Sequence, residues 1–170
     1  MEEKELAKVK QLLDIAENNI RQVKNTLFVS EIAKKVQNLN FEEGENIIEG
    51  VFDGESMVGP NKKSFPVPAN YASKSKLIPG DVLKLTILDD GSFLFKQIGP
   101  IKRKKIIGDL EKVSEGKYIV NSEGKEYNIL LASVTYFKAN EGDKLTIIVP
   151  EEGETEWAAV ENLLEENEEV

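Results

Sequence analysis

The chain has 170 residues, neither cysteine nor histidine, and a net charge of −9. This removes disulfides, thiolate metal sites, the commonest zinc ligand and the commonest general base. No apolar run approaches the length of a bilayer span, and Met1-Glu2-Glu3-Lys4-Glu5 lacks the basic-then-apolar start of a signal peptide, so a soluble cytoplasmic protein with no metal and no cofactor is expected.

Residues 1–45 read as a helical segment and linker. Leu6, Val9, Leu13, Ala16, Ile20, Val23 and Leu27 recur at alternating spacings of three and four, an a/d seam three heptads long. Ser30 and Lys34 interrupt the next heptad. Ile32, Val36 and Leu39 mark a second, shorter helix that Ser30 could cap. The seam either joins copies of the chain or lays the helix on the rest of the molecule. Self-association is preferred, although Ala16, Asn18 and Asn19 weaken it. Asn40 to Asn46 reads as an acidic linker.

From Ile47 the apolar period changes to two. Residues 46–100 read as a first, basic β-barrel. A strand pair from Val51 turns at Asp53-Gly54, and a third strand at Phe65 and Val67 is ended by Pro66 and Pro68. A short helix lies within Asn70 to Leu77, followed by a turn at Pro79-Gly80-Asp81. Leu83, Leu85 and Ile87 then alternate as the inner row of a strand. A hairpin at Asp89-Asp90-Gly91 leads to a last strand opening on Phe93, Leu94 and Phe95.

Residues 101–105 read as a basic linker and 106–160 as a second, acidic barrel, with turns at Glu115-Gly116 and Glu152-Gly153. Residues 161–170 read as an acidic tail, helical around Leu163-Leu164. The fold class is mainly β with an N-terminal helix: two tandem small five-stranded barrels, OB-like or SH3-like, after a coiled-coil-type helix.

The second barrel repeats the first. Residues 51–98 align with 113–160 at a constant offset of 62, and nine of the 48 pairs are identical, against roughly three by chance. Pairs apolar in both copies are assigned to a shared core, among them Val51/Val113, Met57/Ile119, Phe65/Tyr127, Leu83/Leu145, Phe95/Trp157 and Ile98/Val160. Gly80/Gly142 and Asp81/Asp143 are assigned to a shared turn.

The copies differ in charge: residues 46–105 carry +4 and residues 106–160 carry −6. The first copy has Tyr71 and Phe93, and also Lys62, Lys74, Lys84 and Lys96, at places where the second has uncharged residues. Together with Lys63, Lys76, Lys102, Arg103, Lys104 and Lys105 they compose a candidate single-stranded nucleic-acid surface, rings to stack on bases and cations for phosphates. The bland alternative is that the lysines are solvated strand positions and Phe93 is core. The basic linker would then dock on the acidic module.

Catalysis is not expected. The carboxylates sit in turns and on charged helix faces, and no serine has a base partner. Gly59-Pro60-Asn61-Lys62-Lys63-Ser64 lacks the second glycine of a phosphate loop and reads as a turn.

The line Lys63-Ser64-Phe65-Pro66-Val67 through Leu77-Ile78-Pro79-Gly80-Asp81-Val82-Leu83-Lys84-Leu85 resembles the tandem OB domains of proteasome-associated ATPases, which also follow an N-terminal coiled coil. These residues hold no nucleotide loop, so unfoldase activity is not carried over. The resemblance implies oligomerisation and presentation of the barrels to a partner. The chain is also similar to uncharacterised proteins of small-genome uncultivated bacteria, some labelled ribosomal stalk protein, which implies a link to translation. Two functions are therefore weighed. One is a non-catalytic RNA- or ribonucleoprotein-binding accessory protein that contacts protein through its acidic module. The other is a protein-interaction adaptor or chaperone-like module without nucleic acid.

Overall fold

The computed structural model describes residues 2–37 and 46–165. Leu39, most of the acidic linker and residues 166–170 of the tail lie outside them. Helix α1 spans Glu3–Gln37, with acidic residues in its first turn and Lys34 and Lys35 in its last, as the helix dipole favours. It runs unbroken through Ser30. Ser30 and Lys34 interrupt the heptad, but neither glycine nor proline interrupts the helix, so the expected second helix is the end of the first.

The first β module contains β1 (Ile47–Phe52), β2 (Ser56–Val58), β3 (Ser64–Pro66), α2 (Ala69–Lys74), β4 (Val82–Ile87) and β5 (Phe93–Gly99). The second contains β6 (Arg103–Ser114), β7 (Lys117–Ser122), β8 (Lys125–Ile129), α3 (Leu131–Phe137), β9 (Lys144–Pro150) and β10 (Ala159–Leu163). Two differences from expectation follow at once. The segment read as a basic linker supplies the start of β6, and Leu163 belongs to a strand rather than a helix.

Each module is one antiparallel five-stranded sheet, ordered β3-β2-β1-β4-β5 in the first and β8-β7-β6-β9-β10 in the second. The sheets are open where closed barrels were expected: among the described residues no ladder joins the third strand of either module to its fifth. A single isolated bridge between Asn128 and Trp157 crosses that gap in the second module. Inward rows build one core per module. Phe52, Met57, Phe65, Leu83, Leu85 and Phe95 fill the first. Leu110, Val120, Tyr127, Leu145, Ile147 and Val160 lead the second.

Strand register corrects the ungapped alignment at its two ends. Gly50 faces Leu83 as Gly108 faces Leu145, and Phe52 faces Met57 as Leu110 faces Val120. Val113 is therefore not the counterpart of buried Val51, and it is exposed. At the other end Phe95 faces Leu85 as Val160 faces Ile147, so Trp157 lies in the loop before β10. The second copy has a longer paired hairpin between β6 and β7 and a longer loop before β10, and an alignment without gaps cannot register them. The matched glycines have a steric cause. A Cβ on Gly50 would stand 2.5 Å from the Val58 carbonyl oxygen, and one on Gly108 would stand 2.6 Å from that of Asn121.

The modules are fastened to each other. Ile78 of the first packs with Ile148 and Ala159 of the second, beside Ile101. The Trp157 ring covers Gly54 closely enough to leave no room for a side chain, and the Ser73 and Ser133 hydroxyls lie 3.0 Å apart between α2 and α3. At the joint Asp81 is fully buried. Its carboxylate accepts from the Ile78 N–H, the Gln97 Nε2, the Ile101 N–H, each at 3.0 Å, and the Arg103 guanidinium at 2.6 Å.

Helix α1 is rooted on the outer face of the first sheet. Ile32 and Val36 bury Val51, with Phe28 and Val58 at the margin. Lys35 Nζ donates to the Gly80 carbonyl. Further along, Lys24 reaches Glu154 of the second module at 3.2 Å in an exposed pair.

Candidate interaction surfaces

The seam residues Leu6, Val9, Leu13, Ala16, Ile20, Val23 and Leu27 are all exposed. Leu27, the one nearest the root, is 60% exposed. The root uses Phe28, Ile32 and Val36, a stripe about a third of a turn round the helix from the seam. Docking of α1 therefore leaves the a/d face uncovered.

The aromatic residues of the first module meet at one corner. Tyr71 stacks on Phe95 with ring centroids 6.4 Å apart, and Phe93 meets Phe65 and Phe95 edge to face at 6.1 and 6.3 Å. Lys63 holds its ammonium 5.4 Å above the Phe65 ring. Phe65 and Phe95 are core and Tyr71 is half-buried. Phe93 sits in the inward register opposite Ile87, yet remains 43% exposed at the rim.

The basic residues divide among several places. Lys62 is exposed in a short 3-10 turn (Pro60–Lys62), and Lys74 is exposed at the end of α2. Lys84 and Lys96 face each other across β4 and β5 on the opposite side of the sheet from Phe93, with Glu49 next in the row. Lys102 and Lys104 are exposed. Arg103 is turned inward: besides Asp81, its guanidinium donates to the carbonyls of Lys76 at 3.0 Å and Ile101 at 3.3 Å. Lys76 and Lys105 converge on Glu161 at 3.1 and 3.3 Å. The hydrogen bond from Lys76 leads in holding the Glu161 carboxyl below its usual range.

The structure thus brings Lys63, Tyr71 and Phe93 together, and sets Lys84 and Lys96 apart from them. It places Lys76 and Arg103 in the joint between modules, and Lys105 in an exposed pair with Glu161 of its own module. Two features escaped sequence reasoning. Glu161, read as part of a tail, is the counter-charge for two lysines. Leu94 and Ile98, 57% and 42% exposed, form an apolar strip flanking Lys96 on β5. Alternation along β5 was a signal for that strip, since Phe93, Phe95 and Gln97 already fill the inward row.

Among the described residues no acidic cluster is placed to hold a metal ion, and no helix is long and apolar enough to cross a membrane. No family model, curated protein or solved structure matches the chain.

Proposed function

We propose that this chain is a non-catalytic scaffold that self-associates through α1 and presents a rigid pair of OB-like modules to a protein partner. The observation that carries the reading is the uncovered seam, since seven a/d positions stay exposed while the same helix docks by another face. Glu5 and Lys10 occupy g and e positions, which meet with opposite charge between parallel helices. The OB-like description is supported by the strand order and by a short helix between the third and fourth strands of both modules. Light scattering of the whole chain is expected to give a multiple of the monomer mass, and Ile20→Lys to give one chain with unchanged far-UV circular dichroism. A monomeric parent chain, or an Ile20→Lys oligomer, would refute self-association.

A second reading, RNA or ribonucleoprotein binding, is favoured by one observation: exposed Phe93 has Lys63 beside it, with Lys62 and Lys74 exposed in the same module. It expects an oligouridylate to bind at low salt, to be released steeply as salt rises, and to weaken in a Lys62→Ala, Lys63→Ala double variant. No binding at low salt removes it.

A further inference from the structure

Two open sheets have four edge strands, β3, β5, β8 and β10. An edge offers a row of unpaired N–H and C=O groups, and folded proteins guard it with proline, charged side chains, bulges, brevity or cover. Strand β3 is three residues long, ends in Pro66 and is followed by Pro68. Strand β8 is bonded across the gap: the Asn128 N–H donates to the Glu156 carbonyl at 2.7 Å, and its carbonyl accepts from the Ala158 N–H at 3.0 Å. Strand β10 is bulged between Val160 and Asn162, and its first two residues are buried.

Strand β5 is the least guarded, with one edge lysine, Lys96, and neither proline, cover nor a bulge within its paired run. It is seven residues long, its register is regular from Phe93 to Gln97, and its irregularity falls at the far end, at Ile98. Among the described residues, no backbone hydrogen bond reaches it from its free side. The duplicate explains why. Pro66 stands where the second module has Asn128, and proline has no N–H with which to bridge the gap. Phe65 and Phe93 touch across that gap through their rings alone.

We propose that the free edge of β5, from Leu94 to Gln97, is a strand-addition site for an extended protein segment that alternates apolar and acidic residues. The inference rests on the scaffold reading and names the kind of partner. Main-chain pairing supplies the attachment, as in other edge-strand complexes. Phe93, inward in register but 43% exposed at the rim, offers apolar contact to one face of the added strand. Charge selects the acidic residues of the other face: Lys96 lies on the edge strand and Lys84 directly opposes it. The acidic pair Asp89-Asp90 lies beyond Phe93, at the turn, so the acidic residues of the segment belong toward Lys96.

The test uses the full chain and labelled peptides in fluorescence anisotropy. The probes are a Gly-Ser-flanked peptide of alternating valine and glutamate, its lysine counterpart, and two forms of the acidic peptide N-methylated on alternate amides, one set out of phase with the other. The acidic peptide is expected to bind about tenfold or more tighter than the basic one. One methylated set is expected to lose at least about tenfold while the other keeps its affinity, because an edge pairs with only one side of the added strand. Lys96→Glu should reverse the charge preference. Equal binding of the two methylated peptides, or no saturable binding up to about 1 mM, overturns the site. So does oligouridylate binding weakened by Lys96→Glu in a chain that takes up no peptide. Light scattering of the same samples separates the two claims: a monomer that binds peptide refutes self-association alone, and an oligomer that binds none refutes the edge site alone.

Discussion

Asp81 and Asp143 stand at the same turn in the two copies. Each closes the turn by accepting the N–H three residues before it, from Ile78 at 3.0 Å and from Asn140 at 2.7 Å. That role was legible in the repeated Gly-Asp pair, because a side-chain-to-backbone bond spanning three residues is local. The rest of what Asp81 does was not legible, because its further partners Gln97, Ile101 and Arg103 are distant in sequence and no pattern marks them. Arg103 had looked like one cation of an exposed run, whereas its neighbour Lys105 does lie in an exposed pair. The two separate cleanly in energy. Arg103→Ala strips a fully buried carboxylate of its counter-charge and is expected to cost on the order of 3 kcal/mol in urea unfolding. Lys105→Ala should change stability by no more than about 0.5 kcal/mol. Equal effects would place Asp81 outside the joint's energetics.

At the scale of elements, α1 shows how a sequence can be right about a face and wrong about a boundary. The heptad marked the exposed seam because seven apolar residues at that spacing form one stripe. The root was misread as a separate helix, since Phe28, Ile32 and Val36 follow a different stripe of the same cylinder. Its half-buried cation, Lys35, gives the root a pH signature. Burial pushes the Lys35 ammonium below its ordinary value of 10.5, and the nearby Asp81 carboxylate opposes that fall. The folded chain therefore releases this proton at lower pH than the unfolded chain. Between the two values the unfolded state holds more protons, so this group's contribution to stability rises with pH until 10.5 is passed. In Lys35→Met that contribution is gone. The stability difference between the two chains, followed by urea unfolding, should be flat near neutrality and shift in favour of the parent on the approach to pH 10.5. A difference that stays constant through that window would show Lys35 to be freely solvated.

For the whole molecule, the duplication announced two modules and their opposite charges. It could not announce that they are one body, because the joint sets residues of one copy against partners distant in sequence, in the other copy or the connection: Gly54 under Trp157, Ile78 against Ile148, Arg103 into Asp81. Trp157 is the chain's one tryptophan and sits in that joint, so its fluorescence reports on docking while far-UV circular dichroism reports on both sheets. In the parent chain the two signals are expected to fall together in urea. In Arg103→Ala the tryptophan change should come first, and non-coincident transitions in the parent would show that the modules unfold separately. Seam and root share one helix of 35 residues, about 52 Å long, which makes residue count an angular setting. Inserting one residue between Leu27 and Phe28 would swing the module pair by about 100° around the helix axis relative to the seam. Inserting seven would return it to within about 20° of its starting direction, about two turns of helix further out. In an assembly built on the seam, the direction in which each pair of modules faces is thus written in the length of the chain as much as in its side chains.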